Sequence, residues 1–500
     1  YICEFAHAMF NSMGSLAEYS EVFDNNPEIV GGAIWEYQDQ ALWNKRDPKR
    51  PILAYGGGFG EAPNDHYFIH KGVVSFDRTT EGIHVKPHYP EMKKAYQWIS
   101  TDFLDPASGS IRIRNKYQFI SLDGIEASWS LSENGKEIAN GTLRLPHIDA
   151  RRDAYLRVPY KLENINPDAE YFLRISYKLK ESTIWADKGF EVASEQFKLP
   201  MNTPPVIETK STQPIKVSQN SESVKVTGEG FALTFDKKSG FLSQLTKNGT
   251  NLLASDGSPK LHLWRAAHRN DDMWAFDQWE RFGVNNLKYS LVDFKVEQID
   301  KYSVRIISMV KAEGKQGFGA YHTATYLIKG DGSVKVDNKV QFTGLRINLA
   351  RIGVRYQFDK KFDQMNYLGR GPIENYADRK TSSDVGLYNL NVNDQYEYEK
   401  PMERGNHEDV RWVNFSGTGM PSLMIQSDEN LMQVSALPYT DEQMQNVEYK
   451  IDLPASQSTV FTLATKTLGV GSGSCGPRPL DKYMVWSDNT QFSYTLQLLK

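Results

Sequence analysis

The period of the hydrophobic pattern changes near residue 100 of this 500-residue chain. Before that point, short apolar runs such as Ile29–Trp35 alternate with segments of helical spacing such as Leu16–Phe23. Beyond it, apolar residues recur at every second position, as in Ile111–Arg114 and Tyr171–Tyr177. Because a period of two places alternate side chains on one face of a strand, the pattern predicts a multidomain chain, α/β at first and all-β afterwards.

Turn and linker signals divide the chain further. Residues 1–99 are predicted to form α/β units of a barrel or an open sheet, and residues 100–205 a β-sandwich with a hairpin turn at Asn134-Gly135. Residues 206–223 are rich in Pro, Ser, Thr, Asn and Gln, which predicts a linker. Residues 224–500 are predicted to form one large β-sandwich.

Composition excludes several classes of protein. The chain has 58 Lys and Arg against 62 Asp and Glu, a net charge of −4, so it offers no positive field to hold nucleic acid. No stretch approaches the roughly 20 apolar residues of a membrane helix. Two cysteines, Cys3 and Cys475, are too few for a disulfide framework or a cysteine metal cage. Tyr1 is not a natural start, so an N-terminal part is expected to be missing, and localisation, cytoplasmic or periplasmic, cannot be read.

Two motifs near the start carry polar residues at the ends of short strands. Glu4 follows a short apolar run and His7 comes three residues later. An acid in this position can project into a barrel mouth, although position alone favours a glutamate paired with a nearby cation. In the second motif, Gly31–Gln40, Trp35 can stack on the apolar face of a sugar or simply pack at the rim.

A third motif, Tyr55–Gly60, is glycine-rich but lacks the lysine and spacing of a phosphate-binding loop, which excludes a nucleotide site of that type. His66 and His70 stand four residues apart without a zinc-protease pattern around them, so we interpret them as structural. The sequence therefore predicts no metal site.

These motifs in order, from Tyr1–Met9 through Gly32–Gln40 to Tyr55–Asp65, resemble the second half of the catalytic (β/α)8 barrel of the large bacterial β-galactosidases of glycoside hydrolase family 2. Downstream, Gly369–Arg379 resembles the signature of their C-terminal β-sandwich. The resemblance implies the C-terminal part of that barrel, then an immunoglobulin-like β-sandwich and a large C-terminal β-sandwich.

The family resemblance implies a role for each residue of a site. Glu4 matches the catalytic nucleophile of a retaining exo-glycosidase that releases terminal β-D-galactose by double displacement. His7 would hydrogen-bond galactose hydroxyls, Trp35 would pack near C6, and Phe68 matches an aromatic residue beside the family's sodium site. The acid/base glutamate and the main Mg²⁺ ligands of the family would lie upstream of Tyr1. No cofactor is evident in the fragment itself, which is expected to be inactive alone.

Lys71 departs from the family pattern, because the best-known members have a sodium-binding asparagine at this position. A fixed ammonium there would replace the ion or meet a different C6 substituent. A lysine in this place also resembles the carboxylate-binding lysine of β-glucuronidases. We expect a galactoside substrate and keep a uronic acid or modified galactose as the alternative.

Two further expectations depend on the C-terminal part of the chain. In the stretch that begins at Met273, the residues Trp274, Phe276 and Trp279 are candidates for aromatic residues over the site, with a packed loop as the simpler interpretation. Because most of the chain is sandwich, a non-catalytic carbohydrate-binding array is a competing hypothesis, and a homo-oligomer is left open.

Overall fold

The computed structural model describes residues 1–79, 82–161, 166–200 and 211–498, of which 76–79 and 82–84 are described by their backbone alone. These residues form two compact units. One unit contains the described residues up to 89, those of 211–383 and those from 388 onward; the other contains the described residues between 90 and 200 together with 384–387. The N-terminal segment thus packs with the C-terminal sandwich.

The first segment alternates short strands with helical turns. Strands β1 (Ile2–Phe5) and β2 (Gly32–Ile34) pair in parallel, Ile2 opposite Gly32 and Phe5 opposite Ile34, and Gln38 bridges Val74 in parallel as well. Parallel neighbours need a crossover connection, which helix α1 (Leu16–Asn25) provides between these two strands. The elements are β1 Ile2–Phe5, α1 Leu16–Asn25, β2 Gly32–Ile34, β3 Leu42–Asn44, β4 Ile52–Ala54, the 3-10 helix His66–Ile69, β5 Val74–Thr79 and β6 Gly82–Val85.

The second unit has two antiparallel sheets, which share one core. The predicted hairpin turn at Asn134-Gly135 is confirmed, since both residues have positive φ and join two paired strands. The elements are α2 Tyr89–Ala95, β7 Ile99–Asp105, β8 Ser110–Asn115, β9 Ile125–Glu133, β10 Lys136–Leu143, β11 Asp153–Arg157, β12 Tyr171–Leu179 and β13 Glu191–Lys198. The sheet orders are β10-β9-β12-β13 and β11-β8-β7.

The C-terminal part of the first unit is almost entirely β. Burial alternates along its long strands, as the period of two predicts, and one core receives side chains from all three of its sheets. The strands are β14 Lys216–Gln219, β15 Ser223–Gly228, β16 Phe231–Asp236, β17 Leu242–Lys247, β18 Thr250–Asn251, β19 Lys260–His262, β20 Lys288–Asp300, β21 Ser303–Glu313, β22 Gly319–Lys329, β23 Ser333–Thr343, β24 Arg351–Asp359, β25 Gln364–Gly371, β26 Asp384–Asn391, β27 His407–Val410, β28 Trp412–Gly417, β29 Met420–Ser427, β30 Met432–Leu437, β31 Ser458–Thr467 and β32 Thr490–Gln497.

These strands form a nine-stranded sheet and two five-stranded sheets. The orders are β20-β21-β22-β23-β32-β29-β28-β25-β26, β19-β24-β31-β30-β27 and β14-β15-β16-β17-β18. The helices of this part are α3 Arg269–Asp272, α4 Phe276–Arg281 and α5 Asp441–Gln445, and 3-10 turns occur at Val284–Asn286, Lys450–Asp452 and Asp481–Tyr483. None of the helices described is long and apolar enough to cross a bilayer.

The segment predicted as a linker differs from that prediction where it is described. Residues 201–210 lie outside the described residues, and beyond them Lys216–Gln219 forms a strand that pairs with Ser223–Gly228. Ile215 and Val217 pack against the sandwich core, so burial of apolar side chains overrides the polar composition of this stretch.

Candidate active site

Glu4 is the penultimate residue of strand β1, at the end where this strand leaves the parallel pair. The backbone on either side is fixed, since the N–H of Trp35 donates to the carbonyl oxygen of Phe5 at 3.2 Å and that of Ala8 to the carbonyl oxygen of Trp35 at 2.8 Å. The Glu4 side chain itself is 42% exposed. A carboxylate on a rigid strand and open to solvent is able to meet a ligand.

His7 stands beside Glu4 but is buried. Its Nε2 lies 3.7 Å from Oε2 of Glu4, too far for a good hydrogen bond, and neither ring nitrogen has a hydrogen-bond partner among the described residues. Burial lowers the pKa of His7, and Lys71 lowers it further, against the opposing effect of Glu4. The imidazole is therefore held neutral, with one nitrogen able to donate and one to accept.

Trp35, Phe68 and Lys71 surround His7. The ring centroid of His7 is 6.5 Å from that of Trp35, in a stacked arrangement, and 6.1 Å from that of Phe68. Nζ of Lys71 lies 4.1 Å from the centre of the Phe68 ring and 5.3 Å from that of Trp35. The structure thus brings together all five residues selected from the sequence, and their roles stay predictions.

Lys71 has an anionic neighbour within the site. Oε1 of Glu36 lies 3.9 Å from Nζ of Lys71, and both side chains are mostly buried. Burial raises the pKa of Glu36, although the ammonium of Lys71 opposes this. The amide of Gln40 donates to the other carboxylate oxygen of Glu36 at 3.1 Å. The cation of Lys71 is therefore partly compensated before any ligand arrives.

A buried ion pair supports the backbone that carries Phe68 and Lys71. Nζ of Lys86 donates to Oδ1 of Asp39 at 2.6 Å, and the N–H of Gly72 donates to the same oxygen at 2.8 Å. Burial alone would raise the pKa of Asp39, but Lys86 and His70 outweigh it and the pKa is lowered. The ionised Asp39 therefore holds Gly72 and Lys86 in place behind the site. His70 is a structural residue here, since its Nδ1 is 3.4 Å from Asp39.

Asp378, in the motif Gly369–Arg379, joins two loops that come from opposite ends of the sequence. Its carboxylate accepts hydrogen bonds from the N–H groups of Val470 and Gly471, both at 2.8 Å, and its carbonyl oxygen accepts one from Ser15 at 2.7 Å. The N–H of Gly14 donates to the carbonyl oxygen of Gly471 at 3.1 Å. The motif therefore fastens the loop after His7 to the glycine-rich loop at 469–476.

Cys475 is the residue near Glu4 that sequence reasoning missed. One ligand atom each from Glu4, His7 and Cys475 lies within 4.8 Å of the others, and the Cys475 thiol is free and exposed. Glu4 and Cys475 stand more than 460 positions apart in the chain, so no local pattern reveals the contact. The one available signal was the glycine content of 469–476, which indicates close backbone approach.

Asn270 gives this loop a second support. Its side-chain oxygen accepts a hydrogen bond from the N–H of Ser474 at 2.9 Å, and its amide nitrogen donates to the carbonyl oxygen of Asn11 at 3.3 Å. Trp279, a candidate for an aromatic residue over the site, is instead fully buried in the sandwich core and donates to the carbonyl oxygen of Asn348 at 3.1 Å. The packed-loop interpretation is therefore correct for Trp279.

The donor set at Glu4 does not fit Mg²⁺. This ion prefers six oxygen ligands, whereas the group formed by Glu4, His7 and Cys475 offers one carboxylate, one imidazole and one thiol. No step of the reaction is therefore assigned to Mg²⁺ through these residues.

Comparison with known proteins identifies three family models along the chain. "Beta galactosidase small chain" matches residues 227–498, more than half of the chain. "Beta-galactosidase, domain 4" matches residues 111–200, and "Glycosyl hydrolases family 2, TIM barrel domain" matches residues 1–101. The order of the three matches is that expected from the sequence motifs.

Curated relatives named β-galactosidase match along nearly the whole chain. The protein from Priestia megaterium is 32% identical over 99% of this chain and 46% of its own length; that from Halalkalibacterium halodurans is 28% identical over 97% and 47%. The protein from Kluyveromyces lactis is 26% identical over 99% and 46%. The chain thus spans about half the length of these relatives.

Solved structures match only weakly. That of galactose 1-epimerase from Lactobacillus acidophilus has 8% sequence identity and a TM-score of 0.26 over 58% of this chain and 98% of the epimerase chain. This similarity is too small to bear on the site. Because three family models match in order and relatives named β-galactosidase match along nearly the whole chain, the chain belongs to the β-galactosidases of glycoside hydrolase family 2 and corresponds to their C-terminal half.

Proposed function

We propose that this chain is the C-terminal half of a retaining exo-β-galactosidase in which Glu4 is the nucleophile. The observation that carries the proposal is the position of Glu4, exposed at the end of a parallel strand and 3.7 Å from a buried, unpartnered His7. Residues 1–89 then complete a (β/α)8 barrel together with strands from the part of the relatives that this chain does not cover.

Retention of configuration requires a second carboxyl group. In the first step an oxygen of Glu4 bonds to the anomeric carbon while an acid donates its proton to the leaving glycosidic oxygen; in the second step water displaces Glu4, giving its proton back to that same group. We assign the acid to the uncovered half of the relatives. These 500 residues alone are therefore expected to bind weakly and not to turn over.

The surroundings of Glu4 suit a sugar ring. Trp35 and Phe68 offer apolar faces for its C–H groups, and His7 beside them has no hydrogen-bond partner of its own among the described residues. A non-catalytic carbohydrate-binding array needs these aromatic residues but gives no reason for an exposed carboxylate held rigidly beside them. The arrangement therefore favours the enzyme.

Lys71 gives a specific reason to keep a uronic acid as the second candidate. Its ammonium is buried among the aromatic rings, where an incoming carboxylate would be strongly attracted. Glu36 already lies 3.9 Å away, however, and would repel that carboxylate unless it were protonated. This internal partner favours a neutral C6 substituent, as in galactose.

The test uses the complete natural protein. Hydrolysis of nitrophenyl β-galactoside and nitrophenyl β-glucuronide is compared for wild type, Glu4→Gln and the control Glu21→Gln, which alters an exposed glutamate on helix α1. We expect galactoside turnover to fall on the order of 10⁴-fold in Glu4→Gln and not in the control. A 2-fluoro galactosyl inactivator should label Glu4, as found by peptide mass spectrometry.

Each other outcome has a definite meaning. A preference for the glucuronide would mean that Lys71 selects a sugar with a carboxylate at C6. Unchanged turnover in Glu4→Gln, or a label on another residue, would refute the assignment of the nucleophile. Binding of sugar without turnover of any glycoside would favour the binding array.

A further inference from the structure

Glu4, His7 and Cys475 bring three different metal-ligating groups to one place. Their ligand atoms lie within 4.8 Å of one another. A tetrahedral Zn²⁺ with ligands at 2.0–2.3 Å holds them about 3.5 Å apart, so the three atoms must move only slightly closer together to bind an ion. The three come from two segments of the chain, and both segments are fixed by hydrogen bonds.

His7 is the strongest pointer to a ligand. It is 1% exposed, yet neither ring nitrogen finds a hydrogen-bond partner among the described residues. Buried polar groups are nearly always satisfied, so a nitrogen left in this way is expected to serve something that enters the site. The proposed sugar is one such ligand, but it gives no reason for a thiol at the same place.

Hydrogen bonds fix the backbone of the loop that carries Cys475. The N–H of Ser474, the preceding residue, donates to the side chain of Asn270, and Asp378 accepts hydrogen bonds from Val470 and Gly471. The thiol and the Glu4 carboxylate are both exposed, which leaves a route for an ion from solvent.

We infer that Glu4, His7 and Cys475 form a binding site for Zn²⁺ that blocks the active site when occupied. A thiolate, an imidazole and a carboxylate are ligands that Zn²⁺ accepts, and three protein ligands leave the fourth position to water. On binding, the Cys475 thiol loses its proton to solvent and the ion keeps its charge of +2. No redox step is involved.

The consequence for activity rests on the proposed function, because it needs Glu4 to be the nucleophile; the metal site itself does not. A carboxylate oxygen bound to Zn²⁺ has its lone pair engaged and cannot attack an anomeric carbon. The sugar and the ion therefore compete for Glu4. Zinc inhibition is expected to be reversed by a chelator and relieved by high substrate concentration.

The experiment measures metal binding independently of catalysis, in the complete natural protein. Cd²⁺ replaces Zn²⁺ as a probe, since its bond to a thiolate produces an ultraviolet charge-transfer band, and Zn²⁺ affinity is measured by competition with a chromophoric chelator. The variants are Cys475→Ser and Glu4→Gln. The matched control is Cys3→Ser, which removes the other free cysteine, next to Glu4 in sequence but outside the group.

We expect Cys475→Ser to abolish the cadmium band and to weaken Zn²⁺ binding at least tenfold, and Glu4→Gln to weaken it by a similar factor. Cys3→Ser should change neither. Loss of the band in Cys3→Ser, its persistence in Cys475→Ser, or no Zn²⁺ binding by the wild type would overturn the inference. Metal binding without any glycosidase activity would retain the site and reject only the proposed function.

Discussion

Nη1 of Arg379 donates a hydrogen bond of 2.6 Å to the carbonyl oxygen of Ser12, a residue that lies 367 positions earlier in the chain. Ser12 follows His7 by five residues, so the C-terminal sandwich directly fixes the loop that leaves the candidate site. Arg379 also pairs with the buried Glu374 at 3.1 Å. The sandwich is therefore part of the framework of the site.

Replacing Arg379 by Met should destabilise this framework. The change removes the hydrogen bond to Ser12 and leaves the buried Glu374 carboxylate without its cation, which typically costs about 3 kcal/mol or more of unfolding free energy. The measurement is the midpoint of urea unfolding, with kcat/KM of the complete protein as the second readout.

Arg346→Met is the control for that change. Arg346 also pairs with a carboxylate, making two hydrogen bonds to Asp488, but on the surface. Exposed ion pairs contribute little, so its midpoint should stay near that of the wild type. Equal shifts in the two variants would argue against a special role for Arg379.

A methyl group at Gly14 should have a comparable effect through close packing. A Cβ at this position would lie 1.9 Å from Oδ2 of Asp378, which is buried and already holds Val470 and Gly471. We expect Gly14→Ala to cost about 2 kcal/mol of unfolding free energy, as overpacking does. Gly124→Ala is the matched control, since its Cβ would meet nothing within 4 Å. A stable Gly14→Ala variant with full activity would contradict the proposed fastening of the two loops.

The sequence predicts the site as far as its motifs reach. Glu4, His7 and Trp35 stand in short motifs at strand ends, and Phe68 and Lys71 enter through the family resemblance; the structure places all five together. Alternation with a period of two predicts the long sandwich strands well, because burial of alternate side chains is what forms them.

What the sequence does not predict depends on contacts between distant segments. Cys475 lies near Glu4 on a loop to which Asp378 and Asn270 are hydrogen-bonded, and neither interaction leaves a periodic signal. For Trp279 the sequence favours the simpler of two interpretations, a packed loop, but an aromatic residue in a loop-like stretch is able either to cap a site or to fill a core. Its burial is decided by the packing around it.

Buried histidines should make the protein less stable in acid. Burial lowers the pKa of His407 to about 4 and that of His268 to about 3. In the unfolded chain each is protonated below about pH 6.5, so between these values the unfolded state binds more protons. Their contribution is complete above pH 6.5 and is lost as the pH falls towards the folded pKa. Each of the two histidines should lower the free energy of unfolding by about 2 kcal/mol between pH 7.5 and pH 5.

The measurement is the urea midpoint at pH 7.5 and at pH 5, for wild type and His407→Gln. The variant should show a smaller decline, because glutamine does not titrate. His147→Gln is the control: this exposed histidine donates hydrogen bonds to the carboxylates of Asp123 and Asp149, which raise its pKa, so its contribution is present below pH 6.5 and has the opposite sign. A decline that His407→Gln leaves unchanged would show that other groups dominate acid unfolding.

Lys71 allows a test of how charge is balanced at the proposed sugar site. In Lys71→Asn the ammonium is lost, and Glu36 no longer has a cation 3.9 Å away. Losing one charged contact is worth about 1.4 kcal/mol or more, so kcat/KM for the galactoside should fall about tenfold without added sodium. An asparagine oxygen beside Glu36 is a suitable ligand for Na⁺, and the activity of the variant should recover with NaCl but not with choline chloride at equal ionic strength.

The wild type and Lys45→Asn, which changes an exposed lysine over Trp43, should respond to neither salt specifically. A sodium requirement in the wild type would mean that the Lys71 ammonium does not take the place of an ion.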